Sequence, residues 1–217
     1  MTDFAAKREA MVERQLRRRG ISEPRILDAF REVPRHEFVS ASHAAAAYGD
    51  HPLPIEAGQT ISQPYIVALM IEAAGIRAGE RVLEVGSGSG YAAAVISRIA
   101  ETVVGIERQH ELVEVASERL ARLGYDNVEI VEGDGTQGWP DGAPYDAILA
   151  AASGSHVPDP LVDQLNSGGR LVMPLGGPGW VQRLVIVTKH ADGTLEQADL
   201  GAVRFVPLIG AEGWREG

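Results

Sequence analysis

The sequence predicts an α/β fold built on a doubly wound, largely parallel sheet, with helices before it and an antiparallel edge after it. Three observations carry that expectation. From Arg81 onward, short apolar runs alternate with helical ones, which implies right-handed crossovers and a sheet covered on both faces. The first run, RVLEV, passes directly into the glycine-rich turn GSGSGY and then into a helical pattern. The last apolar runs are separated by short connections only, as antiparallel neighbours are.

The elements follow in order. Phe4, Met11, Val12 and Leu16 recur at helical spacing and the segment closes at Gly20, which predicts an amphipathic helix with a glycine stop. Arg17, Arg18 and Arg19 fall in its last turn, where cations on a solvated face complement the helix dipole. A second helix opens at SEPRILDAF, with Ser22 as cap and Pro24 in the first turn. A loop-rich stretch with Pro34, Pro52, Pro54 and Gly58 then leads to GQTISQPYIVALM, residues 58–70, where a helix starts around Pro64. Strands are expected at RVLEV, TVVGIE, VEIVE and YDAILAA, and helices at 90–100 and 110–123. Further strands are expected at GGRLVMPL, QRLVIVTKH and GAVRFVPL. The chain is read as one domain, 1–217: N-terminal helices and active-site loop over 1–75, a cofactor-binding core over 76–175, and C-terminal strands over 176–217.

Composition narrows the function. With 217 residues, 45% of them hydrophobic, the chain can bury a sizeable core. Its 20 Lys and Arg face 30 Asp and Glu, and the net charge of −10 has the wrong sign for a grip on nucleic acid phosphates. Without cysteine there are no disulfides, thiolate nucleophiles or thiolate metal sites. The six histidines are scattered without a paired ligand spacing, so no metal is expected. The first twenty residues have no apolar core of a targeting peptide, and no apolar run reaches membrane-spanning length. A cytoplasmic monomer, with neither membrane nor nucleic acid as partner, is expected.

The turn containing Gly86, Ser87, Gly88 and Gly90 is where such a sheet holds a nucleotide-type ligand. Glycines let the backbone come close and the following helix offers free N–H groups. Glu107 ends the second strand 23 residues after Glu84, which puts a carboxylate in reach of both ribose hydroxyls. Read from Gly88, GSGYAA also fits a dinucleotide motif, so NAD is the rival ligand. Glu84 argues for S-adenosylmethionine, because a carboxylate beside the turn attracts a cationic methionine portion and repels a pyrophosphate. EGDG, residues 132–135, offers Asp134 to an adenine amino group, though the same letters also read as an Asp-Gly turn.

Taken in this order and spacing, LPIEAGQTISQPYIVALM, VLEVGSGSGYAAAVIS, VVGIER, VEGDGTQGW, PYDAILAAA, LVDQLNSGGRLVMPLG and VRFVPLIG resemble the protein L-isoaspartate O-methyltransferase family. The resemblance runs from about Met11 to Trp214, and its specific parts are GQTISQP and VRFVPL. It implies a Rossmann-like, S-adenosylmethionine-dependent methyltransferase fold. It also implies methyl transfer to the free α-carboxylate of L-isoaspartyl residues in damaged proteins and peptides, leaving S-adenosylhomocysteine; the ester then closes to a succinimide. By the same resemblance the active-site serine falls on Ser62. Cofactor contacts fall on Gln59, Thr60, Ile61 and Ser62, and on Ser87, Gly88, Glu107, Arg108, Asp134 and Gly135. Peptide contacts fall on Ile55 and Thr60 in the loop and on Val203, Phe205 and Val206 near the end. Two departures touch the expected substrate mouth: Glu56, where the family often has Gly, and AASGSHVP, where it usually has AAAP. A related branch esterifies ordinary aspartate in ribosomally made peptides to drive imide formation; the lack of an obvious extra peptide-binding domain in this sequence counts against that option.

The chemistry suits these residue types. A carboxylate nucleophile is already ionised near neutral pH and needs no general base. As it attacks a sulfonium methyl, opposite charges disappear, so a wet or strongly cationic pocket would slow the transfer. Thr60 and Ser62 can orient a carboxylate without an arginine clamp. The competing reading is that Ser62 or Gln63 only caps the helix beginning at Pro64. An NAD-dependent oxidoreductase would leave Glu84, EGDG and GQTISQP without roles, and a non-catalytic binding module would leave the motif residues idle. Trp139, Trp180 and Trp214 read as packing or rim aromatics.

Overall fold

A computed structural model describes residues 3–215, so the outermost residues of the expected 1–217 domain lie outside it. Helix α1 spans Phe4–Met11, and Asp3 caps it by accepting from the Ala6 N–H at 2.9 Å. The chain stays helical through a π-helical turn, Val12–Leu16, and a 3-10 turn, Arg17–Arg19, before Gly20 stops it at φ 102°. Met11, Val12 and Leu16 are buried, as their spacing predicts.

Helix α2 spans Pro24–Glu32 and α3 spans Pro64–Ala74. Ser22 does not cap α2. The residue at the cap is Glu23, which makes no side-chain cap bond, and the Glu72 carboxylate from α3 accepts the N–H groups of Ser22 (2.9 Å) and Glu23 (3.4 Å). A tertiary carboxylate at the positive end of the helix replaces the local hydroxyl. Between α2 and α3 lies a two-stranded ribbon, β1 (Leu53–Pro54) against β2 (Thr60–Ile61), in which Leu53 pairs with Ile61. Two-residue strands leave no periodic trace in a sequence.

The main sheet contains β3 (Arg81–Val85), β4 (Thr102–Glu107), β5 (Val128–Glu132), β6 (Tyr145–Ala150), β7 (Leu165–Leu175), β8 (Gln182–Lys189) and β9 (Leu195–Val203). Their spatial order is β5-β4-β3-β6-β7-β8-β9, parallel up to β7 and antiparallel beyond it. The helices α4 (Tyr91–Ser97), α5 (His110–Leu123) and α6 (Asp159–Asp163) make crossovers. Neighbours on one strand point to opposite cores: Val82 joins one with Phe30, Ile71 and Tyr91, and Leu83 joins the other with Ile106, Tyr145 and Leu171.

The last strand is not where its apolar letters suggest. β9 ends at Val203, and Arg204, Phe205 and Val206 leave the ladder. The exposed edge instead uses LEQADLGAV, because an edge strand needs backbone pairing with β8 more than it needs an apolar face. Phe205 finds other partners: its N–H donates to Gln182 Oε1 (2.6 Å) and its carbonyl accepts from Gln182 Nε2 (3.1 Å). Among the described residues no helix is long and apolar enough to cross a membrane.

Candidate active site

The parallel strands point their C-terminal ends at a cavity of about 280 Å³. Its floor is the turn after β3, where Gly86, Gly88 and Gly90 take left-handed φ values of 81°, 51° and 82°. Beside the turn β4 carries Gly105, where a Cβ would collide with Ser87 Oγ.

The cavity gathers most of the expected residues. Gln59, Thr60, Ile61 and Ser62 line it from β2 and the residues after it, and Glu84, Gly86, Ser87 and Gly88 line it from β3 and its turn. Glu107 and Arg108 close it at the end of β4, Gly135 follows β5, and Phe205 and Val206 form the far wall. Four expected residues do not line it. Gly90 sits at the start of α4, where a Cβ would press on Leu120 at 3.2 Å. Val203 is buried at the end of β9, and Ile55 lies behind the turn, its Cδ1 3.3 Å from where a Gly88 Cβ would be.

Asp134 is the fourth. Its Oδ1 accepts from the Thr136 N–H (2.9 Å) and hydroxyl (2.7 Å), and its Oδ2 accepts from the Ala211 N–H (2.8 Å). Burial pushes its carboxyl up, but these donors outweigh that and hold it below the usual carboxylate range. Here the carboxylate ties the 3-10 turn Gly135–Gln137 to the C-terminal segment and leaves the cavity wall to Gly135.

The two glutamates differ. Glu107 is held in place: its Oε2 accepts from the Gly88 N–H (3.0 Å) and its Oε1 from those of Arg108 (2.8 Å) and Gln109 (3.0 Å). That occupies three of roughly four acceptor positions and leaves about one for a ligand hydroxyl. Glu84 is fully buried, and its Oε2 has no partner, nor has Ser87 Oγ beside it in the cavity lining. Burial, with the neighbouring Glu107 charge added, pushes the Glu84 carboxyl up to about 8.

Neither Ser62 nor Gln63 caps α3 with its side chain. Gln63 Nε2 instead donates to Asp50 Oδ1 (2.7 Å), which Arg19 Nη1 also approaches. Arg19 lies over the Tyr65 ring at 3.4 Å, so it is a tether between the N-terminal helix and α3 and not merely a dipole-complementing surface cation.

Sequence reading missed two residues. Arg35 is wholly buried; its Nη2 donates to the Ser62 carbonyl and its Nε to that of Ala47, both at 2.7 Å. Its guanidinium lies 4.7 Å from the ring centre of Tyr91, which lines the cavity, and burial lowers its pKa. An arginine between Pro34 and His36 carries no local signal of burial. Gln182, which holds Phe205, begins a strand and looks like an ordinary edge amide.

These features fit S-adenosylmethionine. A buried carboxylate oxygen without a partner suits a cationic methionine portion, the glycine turn admits close approach, and Glu107, hydrogen-bonded to that turn, keeps an acceptor position for a ligand hydroxyl. Fold and site together define a Rossmann-like methyltransferase that uses S-adenosylmethionine. The model of the family described as protein-L-isoaspartate(D-aspartate) O-methyltransferase matches residues 6–213, and the chain belongs to that family. It is 54% identical over 208 residues to protein-L-isoaspartate O-methyltransferase 2 of Pelobacter propionicus, covering 96% of this chain and 92% of that protein. It is 52% identical to a protein-L-isoaspartate O-methyltransferase of Rhodopseudomonas palustris, covering 95% and 94%. Among solved structures, one protein-L-isoaspartate O-methyltransferase superposes with a TM-score of 0.87 at 35% identity, over 95% of this chain and 67% of that one. A Plasmodium falciparum relative in complex with S-adenosyl-L-homocysteine superposes at 0.80 with 29% identity, over 93% and 98%.

Proposed function

We propose that this chain transfers the methyl group of S-adenosylmethionine to the free α-carboxylate of L-isoaspartyl residues in damaged proteins and peptides, starting their repair through a succinimide. The observation that carries this is one cavity in which the glycine turn, with Glu84 Oε2 beside it lacking a partner, faces the hydroxyl-bearing segment Thr60–Ser62. When bound, S-adenosylmethionine supplies an electrophilic methyl on a sulfonium.

Each residue then has a defined task. Glu84 would take the cationic methionine end, and Glu107 would offer its one remaining acceptor position to a single ribose hydroxyl, fewer than the two its place in the sequence suggests. Ser62 and Thr60 orient the acceptor carboxylate as hydrogen-bond donors, while Phe205 and Val206 wall the acceptor side with apolar surface that limits water. No side chain has to remove a proton, because the acceptor is ionised at neutral pH. That agrees with a cavity lined by no histidine or lysine. The roles of Asp134 and Ile55 are indirect: Asp134 ties the turn Gly135–Gln137 to Ala211, and Ile55 packs behind Gly88, while Val203 is buried at the end of β9.

The test is incubation with a methyl-labelled donor and an isoaspartyl peptide, with the matching aspartyl peptide as control. Label is expected on the isoaspartyl peptide only, and Ser62→Ala is expected to keep its thermal stability while losing roughly a hundredfold in kcat, since misplacement of reacting groups has that scale. Labelling of neither peptide, or binding of NADH with no binding of S-adenosylhomocysteine, overturns the proposal. Full turnover in folded Ser62→Ala would remove the serine from it.

A further inference from the structure

The loop that carries the acceptor hydroxyls rides on the turn expected to hold the donor. Residues 55–59 form a closed unit: the Ile55 N–H donates to the Gln59 carbonyl (2.9 Å), the Gln59 N–H donates to the Glu56 carbonyl (3.1 Å), and Ala57 sits at a left-handed φ of 52°. The unit is continuous with β2, so Thr60 and Ile61 move with it. It touches the glycine turn at two points. One is apolar, Ile55 behind Gly88.

The other is ionic and mostly buried. Arg119 on α5 donates from Nη1 to the Ser89 carbonyl (2.9 Å) and from Nη2 to Glu56 Oε1 (3.3 Å), with side-chain exposures of 9% for Arg119 and 27% for Glu56. The Gly88 N–H, one residue before Ser89, donates to Glu107. A continuous polar chain thus runs from Glu107 through the turn, Arg119 and Glu56 to the loop bearing Thr60 and Ser62.

We propose that Arg119 and Glu56 are positioning residues that make donor and acceptor binding cooperative, with one guanidinium gripping the donor turn and the acceptor loop together. This rests on the reading of the cavity as a methyltransferase site. Guanidinium nitrogens have fixed relative positions, so whatever fixes the Ser89 carbonyl also fixes the direction in which Glu56 is held. A ligand that orders the turn therefore orders the loop in advance, and a peptide arriving second has less conformational freedom to remove. Linkage makes the effect equal in both directions.

The experiment measures binding. Anisotropy of a labelled isoaspartyl peptide is titrated with and without saturating S-adenosylhomocysteine for the intact chain, Glu56→Gln and Glu56→Gly, with circular dichroism confirming that all three are folded. In the intact chain the nucleoside product is expected to tighten peptide binding about fivefold or more, the usual lower range of such coupling. In both variants the gain is expected to fall below about twofold, with the affinity of the free protein for S-adenosylhomocysteine not weakened, since the ligand no longer has to order the loop. Equal coupling in the variants, or none in the intact chain, overturns the proposal even if methylation proceeds. Weaker peptide binding with full coupling shows a purely structural pair and also overturns it. Absence of any S-adenosylhomocysteine binding overturns the methyltransferase reading, and this inference with it.

Discussion

Glu84 shows how one buried side chain can link ligand binding to pH. Burial, with Glu107 nearby, raises its carboxyl from an ordinary value of 4.5 to about 8. Between those values the folded chain holds a proton that the unfolded chain has lost. The stability contributed by this group is therefore fully present below about pH 4.5 and declines as pH rises through 8. A cationic ligand end at Glu84 Oε2 favours the ionised form, so binding should expel the proton. Calorimetry of S-adenosylhomocysteine binding at pH 7, in buffers of different ionisation enthalpy, is expected to show release of up to about one proton, absent in Glu84→Gln. The same variant is expected to be more thermostable than the parent at pH 8 and to bind the ligand more weakly. Proton release unchanged in Glu84→Gln would mean that the proton comes from elsewhere. RVLEV abuts the glycines in the sequence, and Glu84 lines the same cavity as they do. Burial without a partner is a property of packing, and no letter in the motif encodes it.

At the scale of elements, strands with strong apolar runs were legible and segments held by side chains were not. RVLEV, TVVGIE and VEIVE are strands over the same residues: the first two lie inside a two-faced parallel sheet where nearly every position favours apolar packing, and VEIVE, at the sheet edge, keeps the alternation of a half-exposed strand. GAVRFVPL has the same letters and a different fate. Beyond Val203 the chain leaves β8, and Gln182 takes over both backbone groups of Phe205 while also donating to Ser153 Oγ at 3.1 Å. Local propensity cannot announce a partner 23 residues away in sequence. Gln182 is 1% exposed, so Gln182→Leu would leave the Phe205 N–H and carbonyl without partners at a cost of about 1–3 kcal/mol. Because Phe205 and Val206 wall the acceptor side, the variant is expected to raise the peptide KM while leaving the affinity for S-adenosylhomocysteine unchanged. Equal losses in both would assign Gln182 to general stability.

Across the whole molecule, the sheet supplies the donor half of the cavity and the N-terminal third supplies the hydroxyls, so activity depends on how the two are joined. Arg35 stands at that joint. Its fork ties the Ala47 and Ser62 carbonyls together while its plane faces Tyr91 at the first turn of α4. Among the described residues no carboxylate pairs with it and Nη1 has no hydrogen-bond partner; the guanidinium is compensated by two carbonyls and a ring face. Burying a charge so weakly compensated is unfavourable in itself, so its use here must be positional. A lysine would keep the charge but, as a single ammonium point, could not span both carbonyls in a fixed geometry. Arg35→Lys is therefore expected to lower kcat by roughly tenfold or more through a displaced Ser62, with S-adenosylhomocysteine affinity preserved because Glu84 and Glu107 lie on the sheet. Arg35→Met, which removes the buried charge and both bonds, gives the control. If Ser62 placement is what matters, Met and Lys lose kcat alike even though their unfolding midpoints differ. If instead the Lys variant keeps full kcat, the positive charge rather than the fork is what the joint requires, and the tie to the Ser62 carbonyl is incidental.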